Sequence, residues 1–327
     1  MNCYDEASPI IMDYLTYMSV IKGKSQNTVN EYFLDLRTFF RFIKKKRGLV
    51  ANDYEFTDIK IKDVDLNLIK TVTLEDAYSF MLFLQSERSN SARTRSRKVS
   101  SLMSFFEYLT NRKMLLDKNP VAELETPKPG KRLPVYLTLE QCYTLLNVID
   151  GEFKERDYCI IILFLNCGMR LSELCSINYN SIVGNKLRII GKGNKERTVY
   201  LNQACLDAIA NYMKVRPVDG VKDKYALFIS QRKTRLSNKS VQALVNKYIE
   251  KSGLGGQGFS VHKLRHTCAT LMYQYGGVDI RVLKEILGHE NLGTTEIYTH
   301  LADVQMEDAV NANPLAKSVF KNNNSDE

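Results

Sequence analysis

His262-Lys-Leu-Arg265-His266, then Leu287-Gly-His289, then Thr294-Thr-Glu-Ile-Tyr298-Thr-His300 form the stretch that decides the fold, and it holds every histidine of the chain. Wound at 100° per residue from 262 to 275, His262, Arg265 and His266 share one side of a helix, and Leu264, Cys268, Leu271 and Tyr275 share the other. The apolar side can dock on a core while His262 and Arg265 point into a cleft. A second arginine lies upstream in Gly168-Met-Arg170-Leu-Ser-Glu173-Leu, and a lysine in Gly191-Lys192-Gly-Asn-Lys195. Two arginines, two histidines, a lysine and a tyrosine can hold one phosphodiester and attack it without a metal.

Around that stretch the pattern is mostly helical. Helices are expected near 138–149, 155–167, 203–214, 238–251 and 279–287, with shorter ones around Tyr298 and at 303–310. Lys186-Leu-Arg-Ile-Ile190 and Glu196-Arg-Thr-Val-Tyr-Leu201 read as two strands joined by the Gly191–Lys195 turn. Upstream, Glu125-Thr-Pro-Lys-Pro-Gly-Lys-Arg-Leu-Pro134 holds three prolines and marks a linker. Before it, residues 7–47 give two helices, with N-cap chemistry at Ser25-Gln-Asn-Thr28 and a stop at Lys44-Lys-Lys-Arg47-Gly48. Helices near 74–87 and 91–111 follow. Residues 49–72 are polar and acidic without a clear period and read as an irregular insertion.

The chain has 327 residues, enough for two domains, and 44% hydrophobic residues, enough to bury real cores. Its formal net charge of +9 suits a polyanionic partner such as nucleic acid, though a basic protein without one remains as good a reading of charge alone. Seven cysteines show no Cys-x-x-Cys spacing and read as reduced thiols of a cytosolic protein. The N-terminus lacks the pattern of a signal peptide, and the apolar run from Cys159 is too short to span a bilayer. His262 and His266, one turn apart, could hold zinc, but they lack a glutamate between them and an evident third ligand. The Gly191–Lys195 turn lacks the spacing of a nucleotide-binding loop.

Taken in order, the boxes around Arg170, Lys192, His262-x-x-Arg265-His, Leu-Gly-His289 and Thr-Thr-x-x-Tyr298-Thr-His resemble those of the tyrosine recombinase (integrase) family, its bacterial Xer-like members in particular. The resemblance is dense from about 135 to 305 and weaker before 125. It implies a mainly α protein with a small β-sheet (α+β): an N-terminal helical core-binding domain (1–125), a linker (126–134), a catalytic domain (135–311) and a tail (312–327) that passes to a neighbouring protomer. It further implies a catalytic set of Arg170, Lys192, His262, Arg265, His289 and Tyr298, supported by Glu173, acting with no cofactor. Tyr298 would attack phosphorus to leave a covalent 3′-phosphotyrosine, and strand exchange would pass through a Holliday junction. Expected DNA contacts are Thr28, Arg93, Arg95, Arg97, Lys98, Lys195 and Lys239. The expected partner is double-stranded DNA at a specific site, gripped by a homotetramer in the cytoplasm, on the nucleoid and away from membranes. Two other readings fit part of the pattern: a type IB topoisomerase-like nicking-closing enzyme, and a non-catalytic architectural DNA-binding protein.

Overall fold

The computed structural model describes residues 3–51, 53–126, 135–190 and 196–288. The chain divides into two compact units, Met1–Lys131 and Arg132–Glu327. Residues 127–134 of the expected linker lie outside the described residues.

The first unit is helical. Helix α1 (Pro9–Thr16) runs on through a π-turn at Tyr17–Ile21, and α2 (Gln26–Lys46), α3 (Leu66–Lys70), α4 (Leu74–Ser86) and α5 (Ala92–Asn111) follow. The Ser25 hydroxyl accepts from the Thr28 N–H to start α2, and Thr73 and Asp76 close a reciprocal cap on α4. Lysines 44–46 sit in the last turn of α2, where the helix dipole favours positive charge. The core is aromatic: Phe33, Phe39, Phe40, Phe80, Phe105 and Phe106 are fully buried, and Phe39 meets Phe40, Phe80 and Phe106 edge-on.

Residues 49–72 differ from the expected insertion. Ile59, Ile61, Val64, Ile69 and Val72 are all buried. Arg41 donates to the Ile59 carbonyl (2.7 Å), and Lys44 holds the Lys60 carbonyl (2.9 Å) and Asp63 (2.7 Å). Side chains of α2 hold two carbonyls of this segment, and Leu66–Lys70 winds into α3, which is too short to show a period, so the pattern hid these apolar residues.

The second unit is built on α7 (Lys154–Cys167), whose residues from Cys159 to Leu165 are all buried. Around it lie α6 (Leu139–Asn147), α8 (Leu171–Ser176), α9 (Gln203–Val215), α10 (Asn238–Lys251), α11 (Val261–Gln274) and α12 (Ile280–Leu287), with α9 and α11 packed directly on α7. An antiparallel meander of β1 (Ile182–Val183), β2 (Lys186–Ile190) and β3 (Glu196–Tyr200) covers one side. Within this unit α8 and β1 exceed the sequence expectation, as α3 does in the first; all are too short to show a period. Leu187 pairs with Val199 and Ile189 with Arg197, so the buried face of the sheet carries one arginine. The expected apolar side of α11 is corrected at one position. Leu264 and Cys268 are buried and Leu271 packs on the core, but Tyr275 falls at the helix C-cap and is 71% exposed.

Asp35 ties α2 to α5 inside the first unit. Its side chain is 1% exposed and accepts from Arg97 (2.5 and 2.9 Å), Lys98 (2.8 Å) and Ser101 (2.7 Å). Removing the carboxylate strands the buried Lys98 ammonium. Asp35→Ala is therefore expected to lower stability by about 3–5 kcal/mol, and Asp35→Asn by nearly as much. Urea unfolding followed by circular dichroism checks this; a wild-type transition in both variants would show that the cluster contributes nothing.

Candidate active site

The site forms where three helix ends meet. Helix α7 stops at Gly168, whose φ of +56° suits glycine. A Cβ there would also lie 2.8 Å from Leu287 Cδ2 and 3.3 Å from Cys268 Sγ, so the close approach of α7, α11 and α12 requires glycine as well. The next residues turn the chain into α8, with Arg170 at its N-cap. The Arg170 N–H donates to Glu173 Oε2 at 2.7 Å, and its guanidinium reaches Glu173 Oε1 at 2.8 Å. Helix α12 likewise stops at a glycine, Gly288, with φ of +62°.

A helix C-terminus presents carbonyls with no partner of their own and a partial negative charge. Here three arginines supply the partners. Arg197 donates to the Ile286 carbonyl, Arg265 to the Leu287 carbonyl (2.6 Å) and Arg170 to the Gly288 carbonyl (2.7 Å). Arg265 also donates to the Gly168 carbonyl at 2.7 Å, stapling the end of α7 to the end of α12. Arg197 reaches Glu173 Oε2 at 2.9 Å, so that carboxylate lies between two guanidiniums. Burial alone would raise the Glu173 carboxyl, but the Arg170 N–H and the charges of Arg197 and Arg170 hold it below its ordinary value.

Arg170 and Arg265 share a cleft of about 600 Å³ with His262, and Gln242, Asn246 and Ser260 line the same walls. His262 stands open to solvent, with its ring 4.6 Å from that of His266, edge to face. Desolvation by its surroundings, then the charges of Arg265, Lys263 and Arg170, push its imidazole below the ordinary 6.5. That direction favours the neutral ring, the form able to take a proton. Two fixed cations and a neutral imidazole facing one cavity can bind an oxyanion and deprotonate a hydroxyl beside it.

The structure thus brings together four of the expected residues: Arg170, Glu173, His262 and Arg265. Lys192, Lys195, His289 and Tyr298 lie outside the described residues, as does the tail. Among the expected DNA contacts, Lys239 is exposed in the first turn of α10, Thr28 is half-buried in the first turn of α2, and Arg93 is exposed at the start of α5. Arg95 donates to the Asn90 carbonyl, while Arg97 and Lys98 turn inward to Asp35. Among the described residues no group of three His, Cys, Asp or Glu side chains could hold a metal ion, and no helix is long and apolar enough to cross a membrane.

The sequence reading missed Arg197, Gln242 and Asn246. Two signals were present. Arg197 alternates with Val199 on the buried face of a strand, where a charge needs a partner. Gln242 and Asn246 are one turn apart on α10, along one flank of the buried Val241, Leu244, Val245 and Tyr248.

Two family models match the chain: the phage integrase family over residues 135–305, and the phage integrase N-terminal SAM-like domain over residues 11–113. The chain is 55% identical over 309 residues to a tyrosine recombinase XerC of Caldanaerobacter subterraneus subsp. tengcongensis, covering 94% of this chain and 88% of that one. It is 33% identical over 300 residues to the tyrosine recombinase XerC of Syntrophus aciditrophicus, covering 89% and 92%. Its fold resembles that of a lambda integrase dimer bound to a core site, with TM-score 0.66, 16% identity, and 87% and 95% of the two chains covered. It also resembles the XerH site-specific recombinase bound to a palindromic difH substrate, with TM-score 0.64, 21% identity, and 93% and 94% covered.

The Glu173 pairing has a pH signature. A carboxyl depressed in the folded state adds stability that is complete above its unfolded value and is lost as pH falls through the folded one. Glu173→Gln is expected to be less stable than wild type by a constant margin from pH 7 to about 4.5, with the margin closing below that. Urea midpoints at a series of pH values test it; parallel curves down to pH 3 would show that Glu173 is not held ionised by its arginines.

Proposed function

The chain belongs to the phage integrase family and is a site-specific tyrosine recombinase, and from that premise we propose how its residues share the work. The observation that carries the reading is the convergence of Arg170, Arg265 and His262 on one cleft.

A phosphodiester repels nucleophiles until its charge is neutralised. Arg170 and Arg265 take its non-bridging oxygens, and His289 adds a hydrogen bond. Tyr298 attacks phosphorus. Ionising a tyrosine of pKa near 10 at pH 7 costs about 4 kcal/mol, which the cationic cleft and proton transfer to His262 offset. As the tyrosyl O–P bond forms, the bond to the 5′-oxygen breaks, and Lys192 protonates that leaving oxygen. The 3′-phosphotyrosine conserves the bond's energy, so a 5′-hydroxyl from another strand can reverse the attack without ATP and carry exchange through a Holliday junction. Glu173 holds Arg170 in place.

Double-stranded DNA at a specific site is the substrate, and a homotetramer on paired sites is the working assembly, in the cytoplasm on the nucleoid. Residues 1–125 form the core-binding domain, 126–134 the linker and 135–311 the catalytic domain, while 312–327 pack on a neighbouring protomer. Thr28, Arg93, Arg95, Lys195 and Lys239 contact DNA. Arg97 and Lys98 shape the same helix from inside through Asp35.

Tyr298→Phe is expected to bind its site as wild type does and to form no covalent adduct on a nicked suicide substrate. An adduct at wild-type level would move the nucleophile elsewhere. Lys192→Ala is expected to cleave ordinary DNA about 100-fold slower or worse, and to recover on a 5′-bridging phosphorothiolate, whose sulfur leaves without a proton. Absence of recovery would assign the proton to another group.

A further inference from the structure

Arg197 lies on β3, five residues past Lys192 in sequence, and takes no part in the reaction outlined above. Its cross-strand pairing with Ile189 sets it on the core side of the sheet. There the guanidinium bridges two pieces of the site. One nitrogen donates to Glu173 Oε2 at 2.9 Å, and the other terminal nitrogen donates to the Ile286 carbonyl. The third, Nε, is buried with no hydrogen-bond partner among the described residues. A Cβ on Gly288 would lie 3.1 Å from Arg197 Cδ and 3.2 Å from its Nε, so the α12 terminus closes against this side chain.

An arginine on a buried sheet face is costly to desolvate. The cost is offset where the charge meets a carboxylate and a helix-end carbonyl at once. The same two contacts have a functional consequence. Glu173 is the carboxylate that orients Arg170, and Ile286 stands three residues before His289. Arg197 therefore links the strand leading from Lys192, the carboxylate behind Arg170 and the helix end leading to His289.

We propose that Arg197 is a positioning residue for strand cleavage: it fixes Glu173, and through it Arg170, against the C-terminus of α12. The inference rests on the assignment of Arg170 to the phosphate and names a residue which that assignment leaves out. Without Arg197, Glu173 keeps one arginine rather than two, and the Arg170 fork loses its fixed register on the phosphate. A misplacement of about 1 Å is enough to slow a positioned reaction about 100-fold.

The test compares Arg197→Ala, Arg197→Lys and Arg170→Ala in single-turnover cleavage of a nicked suicide substrate. One version carries the ordinary phosphodiester at the scissile position and the other a methylphosphonate. The methyl group removes the negative charge that Arg170 neutralises, so a fault in Arg170 or its placement matters less on that substrate. Arg197→Ala is expected to bind DNA within about threefold of wild type. It should cleave the phosphate about 100-fold more slowly and regain about tenfold or more of that loss on methylphosphonate, as Arg170→Ala does. Arg197→Lys keeps the charge with a single reach and should fall between.

Equal losses for Arg197→Ala on both substrates while Arg170→Ala recovers would mean general damage and overturn the proposal, and so would wild-type rates on both. If Arg197→Ala does not fold, Arg197→Lys is held to the same ratio. If Arg170→Ala itself fails to recover, the assignment of Arg170 falls. Arg197 is then judged by the double variant, which must be no slower than Arg170→Ala alone, because a residue acting through Arg170 has nothing further to lose; multiplied losses would overturn it.

Discussion

The carbonyls that end α12, those of Ile286, Leu287 and the capping Gly288, are the point on which the second unit depends. Each accepts a hydrogen bond from a different arginine: Ile286 from Arg197, Leu287 from Arg265 and Gly288 from Arg170. The three come from β3, α11 and the start of α8, which are far apart in sequence. A helix end ordinarily finds water or a capping side chain for these oxygens. Here it gathers three guanidiniums and fixes each by a hydrogen bond, among them Arg170 and Arg265, the pair proposed to take the phosphate. Arg265 has a second carbonyl at Gly168, so the end of α7 is drawn to the same point.

Charge balance explains why such a site stays assembled without its substrate. Three guanidiniums and the Glu173 carboxylate leave two net positive charges among these four side chains. Carbonyl dipoles absorb part of that excess. The remainder is a standing attraction for an anion with two charged oxygens, which is what a phosphodiester becomes as its phosphorus is attacked. Because the donors already have rigid partners, little reorganisation is left for the moment of reaction. His262 fits the same field. The cations that would bind the phosphate also discourage a proton on its ring, which keeps the ring available as a base.

Much of this was legible in the residues. Arg170, Glu173, His262 and Arg265 were named from box spacing and helical phase; Arg170, His262 and Arg265 line one cleft, and Glu173 is buried against Arg170. The amphipathic phase of α11 places Leu264 inward and His262 outward because burial and period coincide there. What escaped notice lacks a period. Ile59, Ile61 and Val64 are buried in a loop whose backbone is held by Arg41 and Lys44, and no local pattern announces such a contact. Arg97 and Lys98 belong to a run of basic residues, and such a run does not reveal the buried carboxylate that pairs with both. Asp35 lies more than sixty positions away and reads, alone, as one more polar residue of α2. Arg197 was overlooked for the opposite reason: it sits inside a recognised box and passed as part of the lysine's surroundings.

Gly288 closes α12 with its carbonyl held by Arg170 and its Cα against Arg197. From that fixed atom to Tyr298 there are ten residues. Fully extended, they reach about 35 Å, whatever path they follow. The proposed nucleophile is thus confined to a sphere around the same point that organises Arg170, Arg197 and Arg265. One hydroxyl in such a sphere has a local concentration on the order of 10 mM, as a short tether provides. Anchoring the chain at Gly288 therefore does two tasks with one set of hydrogen bonds, setting the electrostatics of the cleft and the leash of the proposed nucleophile.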